Sequence, residues 1–235
     1  MKRTRWHRLV SCWLAAAAAG CAGAPAAPQP GTPAPTAAAP AAPAADAAVQ
    51  PSDAAAPVPS SELPIEHPAP EFALPDTDGV TRRLADFRGK WVVLEWTNPG
   101  CPYVRKHYDS GNMQSLQKKY AAKGVAWLSI CSSAPGKQGH AEPSAWKSRA
   151  ATEGWAVTAT LLDPDGKVGR LYGAKVTPHL FVIDPRGDIV YRGAIDDKAS
   201  AKKSDVETAR NHVAEALDAG LSGLVVPLSE TKPYG

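Results

Sequence analysis

The pattern of apolar and polar positions changes character near residue 60. Beyond it, short apolar runs alternate with amphipathic stretches, and turn residues separate them. Residues 70–83 hold two short apolar stretches around Asp78-Gly79, which predicts a β-hairpin. Leu84-Ala85-Asp86-Phe87 predicts one helical turn, ended by Gly89. Residues 91–96 are almost continuously apolar, as a strand buried on both faces requires. Pro102 is placed to open a helix that runs in two pieces around Gly111, the second over 112–122 with Gly124 as its stop. A second buried strand is predicted over 125–130, then a polar loop over 131–140 and a helix between Pro143 and Gly154. A third strand over 157–162 is closed by Asp163-Pro164-Asp165-Gly166 and followed by a short helix over 168–172. Residues 180–183 and 189–192 flank Asp184-Pro185-Arg186-Gly187 and predict an antiparallel pair. The last helix is predicted over 205–219, with Ser204 as N-cap and Gly220 as stop. This order describes an α/β domain over 61–235, a mixed central sheet with helices on both faces and an N-terminal hairpin extension.

Before residue 60 the composition is different. Thirteen of the 23 prolines fall in the first 70 residues, and residues 22–60 are mostly alanine and proline. With almost no large apolar side chains this stretch cannot offset the entropy of ordering, and it reads as a disordered linker. Residues 1–21 read as an export signal: Lys2, Arg3, Arg5 and Arg8 precede an apolar run too short to span a bilayer. The run ends in Ala18-Ala19-Gly20-Cys21, which resembles a bacterial lipobox and makes Cys21 a candidate lipid-attachment site. Ordinary cleavage, with Cys21 discarded or left free, is the alternative. Either way the domain is expected outside the cytoplasm, on the periplasmic side of a bacterial membrane, with a lipid anchor as its membrane partner in the first case. Setting the leader and linker charges aside leaves 22 basic against 21 acidic residues, so no nucleic-acid-binding surface is expected.

With Cys12 in the leader and Cys21 at its end, the folded part keeps Cys101 and Cys131. Cys101 lies in Trp96-Thr97-Asn98-Pro99-Gly100-Cys101-Pro102-Tyr103-Val104, after a buried strand and directly before a proline that opens a helix. The first N–H groups of a helix lack intrahelical partners and carry partial positive charge, which favours a thiolate, the nucleophilic form of cysteine. Arg105, one turn on, is a candidate thiolate stabiliser. Pro178, after Thr177 and before a buried strand, sits where a proline often adopts the cis form.

Trp96 to Val104, the Thr177-Pro178 pair, Tyr172-Gly173 and the stretch from Phe181 to Asp197 resemble the redoxin (AhpC/TSA-like) branch of the thioredoxin-fold superfamily, and more narrowly its peroxiredoxin-like group. The resemblance implies a thioredoxin-like fold, a redox-active Cys101, and a cis Pro178 opposite it that shapes a substrate groove with Thr177 and Trp96. It also implies a protein disulfide or a peroxide as substrate and a thiol reductant as partner. Two positions depart from the group's pattern. Asn98 and Val104 stand where a Cys-x-x-Cys motif needs its second cysteine, so no disulfide forms within the motif. Asn98 also takes the place where the peroxiredoxin pattern expects threonine or serine, with Thr97 one residue further away.

Cys131 follows the predicted strand next to that of Trp96, at the same carboxyl edge of the sheet. Three readings stand for it: a resolving cysteine, a permanent staple to Cys101, or an unpaired core residue. The staple belongs to an alternative function, a non-catalytic thioredoxin-like binding module. Glu95 is either a proton acceptor for Cys101 or a paired buried carboxylate. His107, His140 and His179 match no established metal-ligand spacing, so neither a metal nor a cofactor is expected. Trp91, Trp96, Trp127, Trp146 and Trp155 read as core and groove walls, and Lys198, Lys202 and Lys203 as a solvated loop.

Overall fold

A computed structural model describes residues 67–235. The leader, Cys21 and the 22–60 linker lie outside the described residues. Among the described residues no helix is long and apolar enough to cross a membrane.

Asp76 organises the predicted hairpin. Its Oδ1 accepts the N–H groups of Asp78 and Val80, Arg82 donates to its Oδ2 at 2.8 Å, and β2 (Ala73–Pro75) pairs antiparallel with β3 (Thr81–Arg83). A 3₁₀ turn over Leu84–Phe87 follows, burying Leu84 and Phe87. The central sheet has the order β1 (His67–Pro68), β8 (Asp188–Gly193), β7 (His179–Ile183), β4 (Val92–Trp96), β5 (Ala126–Cys131), β6 (Ala159–Leu162). Its middle strand, β4 (Val92–Trp96), pairs parallel with β5 (Ala126–Cys131) and antiparallel with β7 (His179–Ile183). β5 pairs parallel with β6 (Ala159–Leu162), and β8 (Asp188–Gly193) pairs antiparallel with β7 and with β1 (His67–Pro68). The observed α/β domain is therefore the mixed sheet that the pattern predicts.

Strand alternation divides the core in two. On one face Val92, Leu94, Trp96, Leu128 and Ile130 pack under the hairpin, the 3₁₀ turn and α4 (Lys167–Leu171). On the other, Val93, Trp127, Leu180 and Val182 pack under α1 (Pro102–Asp109), α2 (Asn112–Ala121) and α5 (His212–Leu221). α3 (Pro143–Glu153) joins this second side, where Glu153 accepts from Arg105 of α1 at 2.8 Å.

Several boundaries differ from expectation. β6 begins at Ala159 rather than 157, and Cys131 is the last residue of β5 rather than the first of the loop. The final helix differs most. A 3₁₀ segment covers Lys203–Thr208, and α5 begins only at His212. Asn211 is its N-cap, with its side chain accepting the Ala214 N–H at 2.8 Å, whereas Ser204 caps nothing. Gly220 lies inside α5, where a Cβ would collide with the Trp91 indole, so its role is close packing and not termination.

Candidate active site

Cys101 is the N-cap of α1, in extended backbone, with Pro102 in the first helical position. Proline suits that position because its missing N–H would have had no helical partner. The Cys101 N–H donates to Asn98 O at 3.0 Å, closing the turn that brings the chain from β4 into α1. The Cys101 side is only 8% exposed. Its Sγ donates to the Thr177 carbonyl at 3.0 Å, and the Thr177–Pro178 peptide bond is cis. Only the protonated sulfur can make that bond, and the positive end of α1 lies beside it.

The other expected site residues divide. Trp96 is not a groove wall: it follows Val92 and Leu94 on the face opposite Cys101. There its ring packs on Tyr172 and Phe181, and its Nε1 donates to Ser132 Oγ at 3.1 Å. The two-residue period of the strand dictates this side. Arg105 does not curl back to the sulfur. Its guanidinium donates to Glu153 at 2.8 Å and to Asp109 four residues on, so its charge is committed along the helix.

Cys101 and Cys131 are both free thiols, so the staple is not formed in this structure. Cys131 Sγ donates weakly to Gly139 O at 3.5 Å. Gly139 in turn lies against the Asn98 side chain, close enough that a Cβ there would clash with it. Asn98 Nδ2 also donates to Gln138 O at 3.3 Å. Contacts thus run from Cys131 through Gly139 and Asn98 to Cys101, and the sulfurs do not touch each other. Cys131 also lines a small, partly open pocket with Ser133, His140, Glu142 and Trp146.

Glu95 is a paired carboxylate. Fully buried, it accepts from Tyr108 (2.7 Å), Trp127 (2.7 Å), Ser129 (3.1 Å) and Gln117 (3.4 Å), a cage that ties β4 and β5 to α1 and α2. Burial pushes its carboxyl above the usual carboxylate range, and the four donors pull against that shift.

The three histidines are not brought together. His179 stacks on Phe181 in the other core, at 4.6 Å, while His140 lies in the loop after β5. His107 is buried in α1 beside a group of residues that the sequence pattern did not reveal as a site: Lys106, Asp196 and Tyr234. Lys106 uses all three ammonium protons, on Asp196 (3.0 Å), the Lys198 carbonyl (2.7 Å) and Tyr234 Oη (3.4 Å). Asn112 Nδ2 lies 2.9 Å from His107 Nδ1, which assigns the ring proton to Nε2, 3.4 Å from Tyr234 Oη. The phenol then accepts from Lys106 and His107 and donates to Asp196, so all its hydrogen-bonding capacity is used. Burial and the neighbouring Asp196 push the Tyr234 hydroxyl far above its ordinary value, so it stays protonated. The only sequence sign of this cluster was a Lys-His pair inside a helix that otherwise packs on the sheet.

The AhpC/TSA family matches residues 65–192. The chain is 27% identical over 142 residues to the thioredoxin-like protein YneN of Bacillus subtilis, a match covering 59% of this chain and 78% of that one. It is 27% identical over 121 residues to the thiol-disulfide oxidoreductase ResA of Geobacillus thermodenitrificans, covering 52% of this chain and 64% of that one. Among solved structures it is similar to an uncharacterized conserved protein from Geobacillus kaustophilus, with a TM-score of 0.60 and 27% identity, covering 74% of this chain and 89% of that one.

Proposed function

This chain belongs to the AhpC/TSA family and has a thioredoxin-like fold, and from that premise we propose that it is a thiol-disulfide oxidoreductase whose attacking group is Cys101. The observation that carries the reading is the seat of Cys101, at the amino end of α1 with its Sγ 3.0 Å from the carbonyl of the cis Thr177–Pro178 pair. Loss of the thiol proton gives a thiolate next to unpartnered helix N–H groups. The thiolate attacks one sulfur of a polypeptide disulfide; the new S–S bond forms as the old one breaks, and the other substrate sulfur leaves as a thiolate. A second thiol, as its thiolate, then attacks the Cys101 sulfur of the mixed disulfide; the substrate leaves as its second thiolate, and the disulfide now joining Cys101 to the second thiol is reduced by a further thiol equivalent, which restores Cys101 and is itself left oxidised. An external thiol reductant suits that step best, because Cys131 is engaged with Gly139 and stands off from Cys101. Cys131, fixed at the end of β5, serves instead if the loop over 132–142 swings aside. Disulfide exchange is favoured over peroxide reduction because Asn98 replaces the expected hydroxyl residue and the Thr97 hydroxyl is buried without a partner.

Replacing Cys101 with serine is expected to lower the rate of insulin disulfide reduction to background while leaving the urea unfolding midpoint nearly unchanged. An undiminished rate would remove Cys101 from the mechanism. Comparing Cys131→Ser in the same assay separates the two routes of resolution: full turnover with added thiol assigns resolution to the reductant, and accumulation of the mixed disulfide assigns it to Cys131.

The domain is proposed to work outside the cytoplasm, tethered through Cys21. The support is the small-residue run before Cys21 and the Ala/Pro stretch after it, which suits a domain held off a membrane surface. Cys21→Ala is expected to move the protein from the membrane fraction to the soluble fraction of a bacterial host. Unchanged membrane recovery would dismiss the anchor.

A further inference from the structure

Exchange with a polypeptide requires a second sulfur to approach Cys101 in line, yet Cys101 is 8% exposed. Something beside it must leave. The segment over 229–235 meets both flanks of that sulfur, with Gly235 against the Thr177 backbone that accepts from Sγ and Tyr234 against Tyr103. No residue over 222–235 is fully buried, Leu224 and Val225 are exposed at 67% and 72%, and of its apolar side chains only Val226 and Tyr234 pack against the core, so few apolar contacts hold the strip down.

What holds it is mostly a set of hydrogen bonds to β8, to the residues just after it and to α1. Arg192 N donates to Ser229 O at 2.9 Å and Thr231 N donates to Arg192 O at 3.0 Å, so the strip meets the end of β8 through one parallel β-bridge, Arg192 with Glu230. The Ala194 N–H donates to Thr231 Oγ1 at 2.9 Å, and the same hydroxyl meets Tyr191 Oη at 2.7 Å. Tyr234 then enters the Lys106–Asp196–His107 pocket with its ring against Tyr103, centroids 5.7 Å apart. Gly235 reaches the Thr177 backbone, the carbonyl that holds the Cys101 thiol. Two glycines permit this course: a Cβ at Gly193 would collide with Thr231, and one at Gly235 with Thr177.

We propose that the 229–235 segment occupies, in cis, a docking groove for a substrate polypeptide, and that this groove takes an extended peptide whose aromatic side chain enters the Lys106–Asp196 pocket beside Cys101. Pairing through main-chain groups is open to any extended peptide, whereas the pocket selects a ring with a hydroxyl able to meet Lys106, His107 and Asp196 at once. The strip thus covers the sulfur until a polypeptide displaces it. This inference rests on the reading of Cys101 as the attacking thiol.

The test is the rate of iodoacetamide alkylation at Cys101, followed in the full chain by peptide mass spectrometry. Tyr234→Ala should be alkylated about tenfold or more faster than the parent, and Tyr234→Phe, which keeps the ring, should fall between them. The synthetic peptide Leu-Ser-Glu-Thr-Lys-Pro-Tyr-Gly, at about 1 mM to rival a tethered segment, should restore slow alkylation to Tyr234→Ala, and the same peptide with alanine for tyrosine should not. Equal rates in the parent and both variants would overturn the covering role, and equal protection by the two peptides would overturn the aromatic pocket. If Tyr234→Ala does not fold, the parent and Tyr234→Phe decide the matter, since equal rates in that pair also reject the proposal. Alkylation needs no turnover, so a failed Cys101→Ser assay would remove the function and leave this result standing, while equal alkylation would remove the groove alone.

Discussion

Asp196→Ala is expected to lower the unfolding free energy by about 3–5 kcal/mol, because it leaves the Lys106 ammonium buried without a counter-charge. Both side chains are within 1% of complete burial and lie 3.0 Å apart. The remaining acceptors of Lys106, the Lys198 carbonyl and Tyr234 Oη, are neutral and cannot replace a carboxylate. The loss comes mainly from an uncompensated buried charge. The double variant Lys106→Met with Asp196→Leu should therefore recover most of it, since an apolar pair of similar volume escapes the desolvation penalty of both ions. Urea unfolding of the three proteins at neutral pH provides the measurement. A loss below about 1 kcal/mol in Asp196→Ala would show that water reaches the ammonium and that the pair does not hold the region together.

The second large effect is on pH. Burial lowers His107 and His179 to about 4, against an ordinary value of 6.5. In His107 the nearby Asp196 works against that shift and Lys106 adds to it. A histidine whose folded value is depressed binds its proton more readily in the unfolded chain. Its contribution to stability is thus complete above pH 6.5 and is lost as the pH falls toward 4. Over the two units between pH 6.5 and 4.5 each histidine should cost about 2–3 kcal/mol. Glu95 acts in the opposite sense. Its folded value is raised, so its contribution is complete below its ordinary value of 4.5 and is lost as the pH rises through the folded value. Two histidines outweigh one carboxyl, and the urea midpoint is expected to fall from pH 7 to pH 4.5. His179→Leu should flatten the fall, because the ring rests on Phe181 and its Nδ1 has no partner to lose. Glu95→Gln should steepen it. A midpoint identical at the two pH values would contradict the buried, neutral state of both histidines.

Local pattern made much of the fold legible. The apolar runs that became β4, β5 and β7 are long, β-branched or aromatic, and bounded by turn residues, so burial on both faces was their one stable outcome. The Asp78-Gly79 turn, the break at Gly111 and the Cys101-Pro102 junction were equally plain, since each depends on a residue with a narrow conformational use. The final helix was less legible. Val206 extends the apparent apolar period upstream, but the residues from Glu207 to His212 offer the sheet no apolar face. Helix formation waits for Asn211, which caps where Val213, Ala216 and Leu217 begin to pack.

What the sequence determined by itself was therefore the order of elements and the placement of one cysteine at the mouth of a helix, because both follow from chemistry within a few residues of each other. Only the tertiary structure decided which way Trp96 faces, what Arg105 spends its charge on, and that Cys101 and Cys131 stand as separate thiols. It alone brought Lys106, Asp196 and Tyr234 together, from positions 90 and 128 residues apart along the chain. The physical reason is that burial of a charge is stable only where a distant partner meets it, and no spacing along a single strand or helix records where that partner will arrive.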